Sequence, residues 1–503
     1  MNFISIENNN TIPLQQIPLV DYDIFYQEVS KLLENPNCHC VAYYAFPENK
    51  EILRFICCIA DDVTHKILVT SFAKNFDDNS PLKSLTPTYT SMQIFEREIY
   101  EKYGIEFLNH PWLKPLRYPF DRYNKDSQIG NYPFFKMNSH ELHEVGVGPI
   151  HAGIIEPGHF RFICNGEKVL HLEIELGFQH RGIEQMMLQQ DKFLQQTMLA
   201  ESIAGDTVIS HSTAFVQLME ALNGIEISEN TKLSRTIAAE MERIAIHTSD
   251  LSALCTDVAF QLGSAVLQGL RTVIINTFLI WCGNRFGRKL IRYGKESYPL
   301  NQELIVKINS NLDLFEKQYV EVANKMFDMP SVLARFERIG IVTEQQSRMI
   351  GVVGMAARSA GIKRDIRSSH GYAWYPNIDH LPITIESGDV KARAKLRDLE
   401  ICQSLNYIRQ MLARYETNAS QATELFASKS ASDSFVISLT EGWRGEICHC
   451  AVTNADGSLK NYKVKDASMH NWMALALAVR NNDISDFPVC NKSFNLSYCG
   501  NDL

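Results

Sequence analysis

From Ile183 to Tyr415 the apolar residues recur mostly at helical spacing, over segments near 195–222, 229–283, 300–326 and 390–415. A pattern of that length commits the chain to a body dominated by long helices. Short β-branched and aromatic runs flank it. Before it stand 37–46, 52–60 and 66–71, separated by Pro, Asn and Asp turns. Residues 146–164 and 168–176 alternate on either side of Asn165-Gly166, a strong hairpin signal. After it, 435–439, 446–453 and 460–464 read as strands, followed by a helix near 470–480. The expectation is an α+β protein. Residues 1–120 form a small α+β domain and 121–140 a linker. Residues 141–503 form a mostly α-helical domain with β-rich ends. An acidic, aromatic helix is expected over 91–103, with Gly104 as its stop.

A net charge of −9 argues against a nucleic-acid partner, and 45% hydrophobic with 21% charged residues is ordinary for a globular chain. The first residues have neither a positive flank nor a long apolar core, so no signal peptide is expected. The most apolar stretch, 258–282, is interrupted by Gln261, Gln268 and Arg271 and reads as a buried helix. Twelve scattered cysteines fit a reducing cytoplasm. Cys38-x-Cys40, Cys57-Cys58 and Cys448-x-Cys450 lack metal-site spacing and read as core or surface thiols.

Several residues carry chemistry. Glu156 precedes Pro157-Gly158 and so projects from a rigid turn. It is either a solvated loop carboxylate or a proton-exchanging one in an apolar cleft. His211 lies seven residues after Ala204, on the same helix face. It is either a satisfied core histidine or a site residue. His180-Arg181-Gly182-Ile-Glu184 is a charged cluster at the start of a helix and reads by itself as a brace of a strand-to-helix junction.

Ordered motifs run along nearly the whole chain: Phe95-Glu-Arg-Glu-Ile-Tyr-Glu-Lys-Tyr-Gly104, Gly148-Pro-Ile-His151, Glu156-Pro-Gly-His-Phe-Arg161 and Gly177-Phe-Gln-His-Arg-Gly182. Later come Arg358-Ser-Ala-Gly361 with Asp365 and Arg367, Gly388-Asp-Val-Lys-Ala-Arg393, and Glu441-Gly-Trp-Arg-Gly-Glu446. With these the chain resembles the fused catalytic subunit of group 4, formate-hydrogenlyase-type, energy-converting hydrogenases. It is also similar to the fused peripheral-arm subunits of respiratory complex I. In the hydrogenases two Cys-x-x-Cys segments hold nickel and iron. Here those positions are Ala204 and Thr207, and Ser497 and Gly500. Alanine and glycine offer no ligand and the hydroxyls are hard, so no metal site is expected.

The resemblance implies an oxidoreductase-complex subunit that is not itself an H2-activating hydrogenase. The implied site residues are Glu156, His151, His211 and Arg444. His180, Arg181 and Gly182 are implied to face an iron–sulfur cluster held by a small partner subunit. No cofactor is expected on this chain itself. Arg444, without iron, needs a new partner, with Glu441 and Glu446 as candidates. The implied partners also include other hydrophilic-arm subunits and antiporter-like membrane subunits, with the chain peripheral on the cytoplasmic face of the inner membrane. Two alternatives stand beside this reading. One is a quinone-reducing subunit with His151, His211, Ser210 and Tyr498 as contacts, although Gly205 occupies the position of complex I's quinone-binding Tyr. The other is a non-catalytic coupling subunit. The two degenerate segments are expected to lie side by side.

Overall fold

The computed structural model describes residues 2–153, 155–417 and 430–503. Its first sheet has the spatial order Ile4–Ile6, Lys66–Asn75, Ile52–Asp61, Cys38–Pro47, antiparallel throughout. Successive side chains point to opposite faces, and here both faces are covered. Tyr43, Phe55, Cys57 and Phe72 pack with Phe25 of helix Tyr22–Leu33 and Phe95 of helix Gln93–Tyr103. Tyr44, Phe46, Ile56 and Cys58 enter the larger core of the chain. Double coverage is why these strands read as apolar runs rather than as clean alternation. The Gln93–Tyr103 helix stops at Gly104, at φ +73°, as its sequence predicts.

A second sheet has the order Leu459–Lys465, Glu446–Thr453, Ser434–Glu441, Ile12–Pro13. Ile12 pairs with Phe435, so the chain's first residues complete a sheet built from its last hundred. The third sheet is Lys168–Glu175, His159–Asn165, His143–Val147, with Asn165 opposite Lys168 at the expected hairpin turn. The run at 146–164 is therefore not one strand. Pro149 and Pro157 have no N–H to give a ladder, and the chain leaves the sheet between Gly148 and Gly158 before returning.

The body is a bundle of Glu229–Asp257, Gln261–Cys282, Gln302–Asp328 and Val390–Arg414. Ser228, Asn301 and Asp389 cap three of these by accepting from a backbone N–H of the first turn. The expected 229–283 helix is two antiparallel ones. The chain reverses at Ala259, at φ +59°, and Phe260 packs its ring on Gly263. The Gln261–Cys282 helix is long and apolar enough to cross a membrane by length and composition. It packs between Glu229–Asp257 and Gln302–Asp328. The expected 195–222 helix is also split, into Phe193–Ala200 and Val208–Leu222, and residues 201–207 between them form part of the site.

Candidate functional site

Two segments distant in sequence meet at one end of the bundle: residues 201–207, and residues 495–502 around the short helix Tyr498–Asp502. Two arginines tie them together. Arg181 donates to the carbonyls of Ser202 (2.6 Å), Ile203 (2.9 Å) and Cys499 (2.9 Å). Arg444 forms a bidentate pair with Asp206, both bonds 2.7 Å, and donates to Thr207 Oγ1 (3.0 Å) and the Asn495 carbonyl (2.5 Å). Its guanidinium also lies 3.9 Å over the Trp443 ring. Burial alone would raise the Asp206 carboxyl, but the Arg444 charge and hydrogen bond hold it below the usual range.

Asp206, not Glu441 or Glu446, is thus the partner of Arg444. Gly442 and Gly445 bond each other in both directions, closing a tight turn that aims Arg444 at the 201–207 segment. Glu441 accepts instead from Arg358 (2.7 Å), while Glu446 binds His39 (2.6 Å) and Lys465.

The second segment has a tighter feature. A Cβ at Gly500 would lie 2.8 Å from Asp466 Cγ and 2.9 Å from Ser497 Oγ, so the Asp466 carboxylate fills the space a side chain would need. Asp466 accepts from the Ser468 N–H (2.8 Å) and from His211 Nε2 (3.1 Å). His211 Nδ1 is 3.0 Å from His449 Nε2, and His449 Nδ1 is 2.6 Å from the Tyr462 hydroxyl. All four residues are buried. Burial, with His211 beside it, holds His449 well below the imidazole range. Burial opposes the Asp466 charge, yet the His211 hydrogen bond and the Arg444 charge hold this carboxyl at about 2. One proton order that places a single proton on each ring satisfies every contact. Tyr462 O–H donates to His449 Nδ1, His449 Nε2–H to His211 Nδ1, and His211 Nε2–H to Asp466. One proton added at His211 reverses the donors toward Tyr462. The chemistry available is that of a proton relay.

The other expected residues are placed unevenly. Glu156 accepts from the Tyr498 N–H (3.3 Å). Burial and the nearby Glu156 carboxylate push the Cys499 thiol up to about 12. His151 is one loop away, its Nε2 2.9 Å from the Gly158 carbonyl, and makes no bond to His211. His180 Nδ1 meets the Asp502 carbonyl at 2.8 Å, and Gly182, at φ +73°, opens the helix Ile183–Gln189. Glu184 of that helix accepts from Lys463 and from the Val464 N–H, both at 2.9 Å. Sequence reasoning missed Asp206, His449, Tyr462 and Asp466. Asp206 had a signal, since it stands between the two positions of the first segment. His449 lay inside a Cys-x-Cys run read only for its thiols.

Residues 257–435 match the family described as respiratory-chain NADH dehydrogenase, 49 Kd subunit, and residues 26–133 the 30 Kd subunit. Hydrogenase-4 component G of Escherichia coli K12 is 26% identical over 429 residues, covering 82% of this chain and 74% of that protein. Formate hydrogenlyase subunit 5 of the same organism is 26% identical over 436 residues, covering 82% and 75%. The membrane-bound hydrogenase subunit alpha of Pyrococcus furiosus is 24% identical, covering 69% and 84%. The chain belongs to the superfamily of group 4 hydrogenase large subunits and complex I. Its fold is shared with a chain in the structure of the membrane-bound sulfane sulfur reductase, an archaeal respiratory membrane complex. The TM-score is 0.67 at 18% identity, covering 72% of this chain and 99% of that one.

A nickel–iron centre requires soft thiolate donors. In this member of the superfamily the four positions supply a methyl group, two hydroxyls and a hydrogen. The Thr207 hydroxyl is held by Arg444 and Asp206, and Ser497 Oγ accepts from the Gly500 N–H at 2.9 Å. Cys490 is buried, with its thiol against Gly340. Among the described residues no group of three or more His, Cys, Asp or Glu is arranged to hold a metal ion. The residues present do not fit the nickel–iron centre. Of the expected quinone contacts, Ser210 bonds Glu242 (2.9 Å), His211 is within the relay and Tyr498 packs on Trp472.

Proposed function

We propose that this chain is the large subunit of a membrane-associated, energy-converting, complex I-like oxidoreductase complex. In this reading its former metal pocket works as a proton-handling site without nickel or iron. The observation that carries it is the Asp466 carboxylate standing in the side-chain space of Gly500 and ending the relay through His211. A charged, hydrogen-bonded group there takes the place of a thiolate and serves protons rather than metal. The names of the relatives, hydrogenase components and NADH-quinone oxidoreductase subunits, support the setting.

A small iron–sulfur subunit docks on the face carrying His180, Arg181 and Gly182. Arg181 is positioned there by three carbonyls, so its charge is fixed in place near the incoming cluster. Antiporter-like membrane subunits complete the complex at the cytoplasmic face of the membrane. The test is elemental analysis of the chain after separation from its co-purifying partners. Nickel and iron well below one atom per chain are expected, with iron following the small partner. One nickel per chain would overturn the reading.

A further inference from the structure

Away from the pocket, the core of the bundle holds a second ionisable cluster. Glu441, at the end of strand Ser434–Glu441, accepts from Arg358 at 2.7 Å and from the Ile366 N–H at 3.1 Å. Arg358 also binds Glu400 (2.7 Å) and stands 3.3 Å from Asp365. Arg367 binds Asp365 (2.7 Å) and approaches Glu240 (3.3 Å). Arg243 of helix Glu229–Asp257 lies between Glu240 (3.4 Å) and Glu400 (3.5 Å).

These seven residues are at most 2% exposed. Four carboxylates thus face three guanidiniums. Burial depresses His247 and His380, so neither ring supplies the fourth positive charge. Across the sheet Glu446 is already neutralised by Lys465, and the neutral Tyr372 hydroxyl accepts from the Glu441 N–H (3.0 Å). A net buried negative charge is costly at this depth, and the simplest relief is one proton held by one of the four carboxylates.

Glu441 is the carboxylate that best fits. Glu400 touches all three guanidiniums, and Asp365 and Glu240 touch two each. Glu441 pairs with one. The cluster also reaches solvent. An open cleft of about 510 Å³ is lined by Arg367, Tyr375, Asp379 and His380. Tyr375 donates to Glu240 at 2.5 Å, and His380 Nε2 lies 3.1 Å from Asp365.

We propose that Glu441 is a proton-binding site separate from the pocket relay, filled and emptied through the cleft at His380. Uptake adds one solvent proton to the carboxylate and release returns it, with no other bond changed. Glu441 begins the turn that carries Arg444, and Arg243 binds the carbonyls of Glu441 and Gly442. Its charge state therefore acts on the pocket arginine whether or not the pocket lacks metal. Burial, with Asp365 beside it, pushes the Glu441 carboxyl up to about 7.

The test is pH-difference infrared spectroscopy of the full chain. A protonated-carboxyl band that bleaches as pH rises through neutrality, shifts in D2O and is absent in Glu441→Gln is expected. A band that persists in Glu441→Gln, or no titrating band, overturns the proposal. If that variant fails to fold, Asp365→Asn decides: losing the neighbouring charge moves the midpoint to lower pH, and an unmoved midpoint overturns the proposal. His380→Leu slows deuteration of the band at least tenfold, and an unchanged rate removes the cleft as the entry.

Discussion

The carboxylate of Asp466 occupies the space a Cβ on Gly500 would need, 2.8 Å from where that atom would stand, so Gly500 cannot gain a side chain while Asp466 keeps its place. Gly500→Cys, which restores one thiol of the superfamily, is therefore expected to destabilise the chain by about 1–3 kcal/mol through overpacking. Asp466→Ala in the same chain should relieve most of that clash. A double-mutant cycle by denaturant unfolding reads the coupling directly. Additive effects would mean that the two groups do not compete for space.

Arg444 holds a buried charge against Asp206, whose side chain is 35% exposed. Arg444→Met removes the cation and leaves the carboxylate facing an apolar neighbour. The full penalty for breaking a buried pair is about 3–5 kcal/mol, and the exposed side of Asp206 reduces it to roughly 2 kcal/mol. Asp206→Asn added to Arg444→Met should recover part of the loss. Thermal unfolding of the two single variants and the double variant checks this. A double variant as unstable as the sum would show that the loss comes from packing on Trp443.

Much of the fold was legible because local patterns and tertiary roles agreed. The helix stop at Gly104, the Asn165-Gly166 hairpin and the helical bundle all follow from short-range signals. What escaped was set by distant packing. Two residues near the start of the sequence, Ile12 and Pro13, pair with a strand beginning more than 400 positions later, and no short-range period encodes such a pairing. The reversal at Ala259 hid inside continuous apolar spacing, because a single residue at positive φ interrupts neither composition nor period.

The site was half legible for the same reason. Motif positions located Glu156, Arg181, His211 and Arg444, which the structure gathers at the two segments. The relay partners come from three other places in the chain. His449 and Tyr462 stand on adjacent strands, where His449 pairs with Val464 and Ala451 with Tyr462, so the register alone brings the ring and the hydroxyl together. Asp466 follows the last strand and has no local mark at all.

The Asp466–His211 pair carries a pH signature. The folded carboxyl, held at about 2, lies below its unfolded value near 4. The stabilisation is present above pH 4 and is lost as pH falls toward 2. It amounts to about 2 kcal/mol. Asp466→Asn should thus be less stable than the natural chain at pH 6, and the gap should narrow as pH falls below 4. Urea unfolding at a series of pH values measures it. A gap constant down to pH 2 would mean that His211 does not bind the charged carboxylate.

Glu441 predicts the opposite slope. Its folded carboxyl titrates near 7, above the unfolded value near 4.5. The protonated form therefore favours the fold, an advantage complete below about pH 4.5 and lost as pH rises through 7. Glu441→Gln keeps the shape and the neutral charge at every pH. Its stability relative to the natural chain should rise between pH 5 and pH 8, and the slope should approach one proton's worth. Equilibrium unfolding over that window checks the sign. Parallel curves for the two proteins would mean that Glu441 stays ionised throughout and that the fourth carboxylate is balanced by another group.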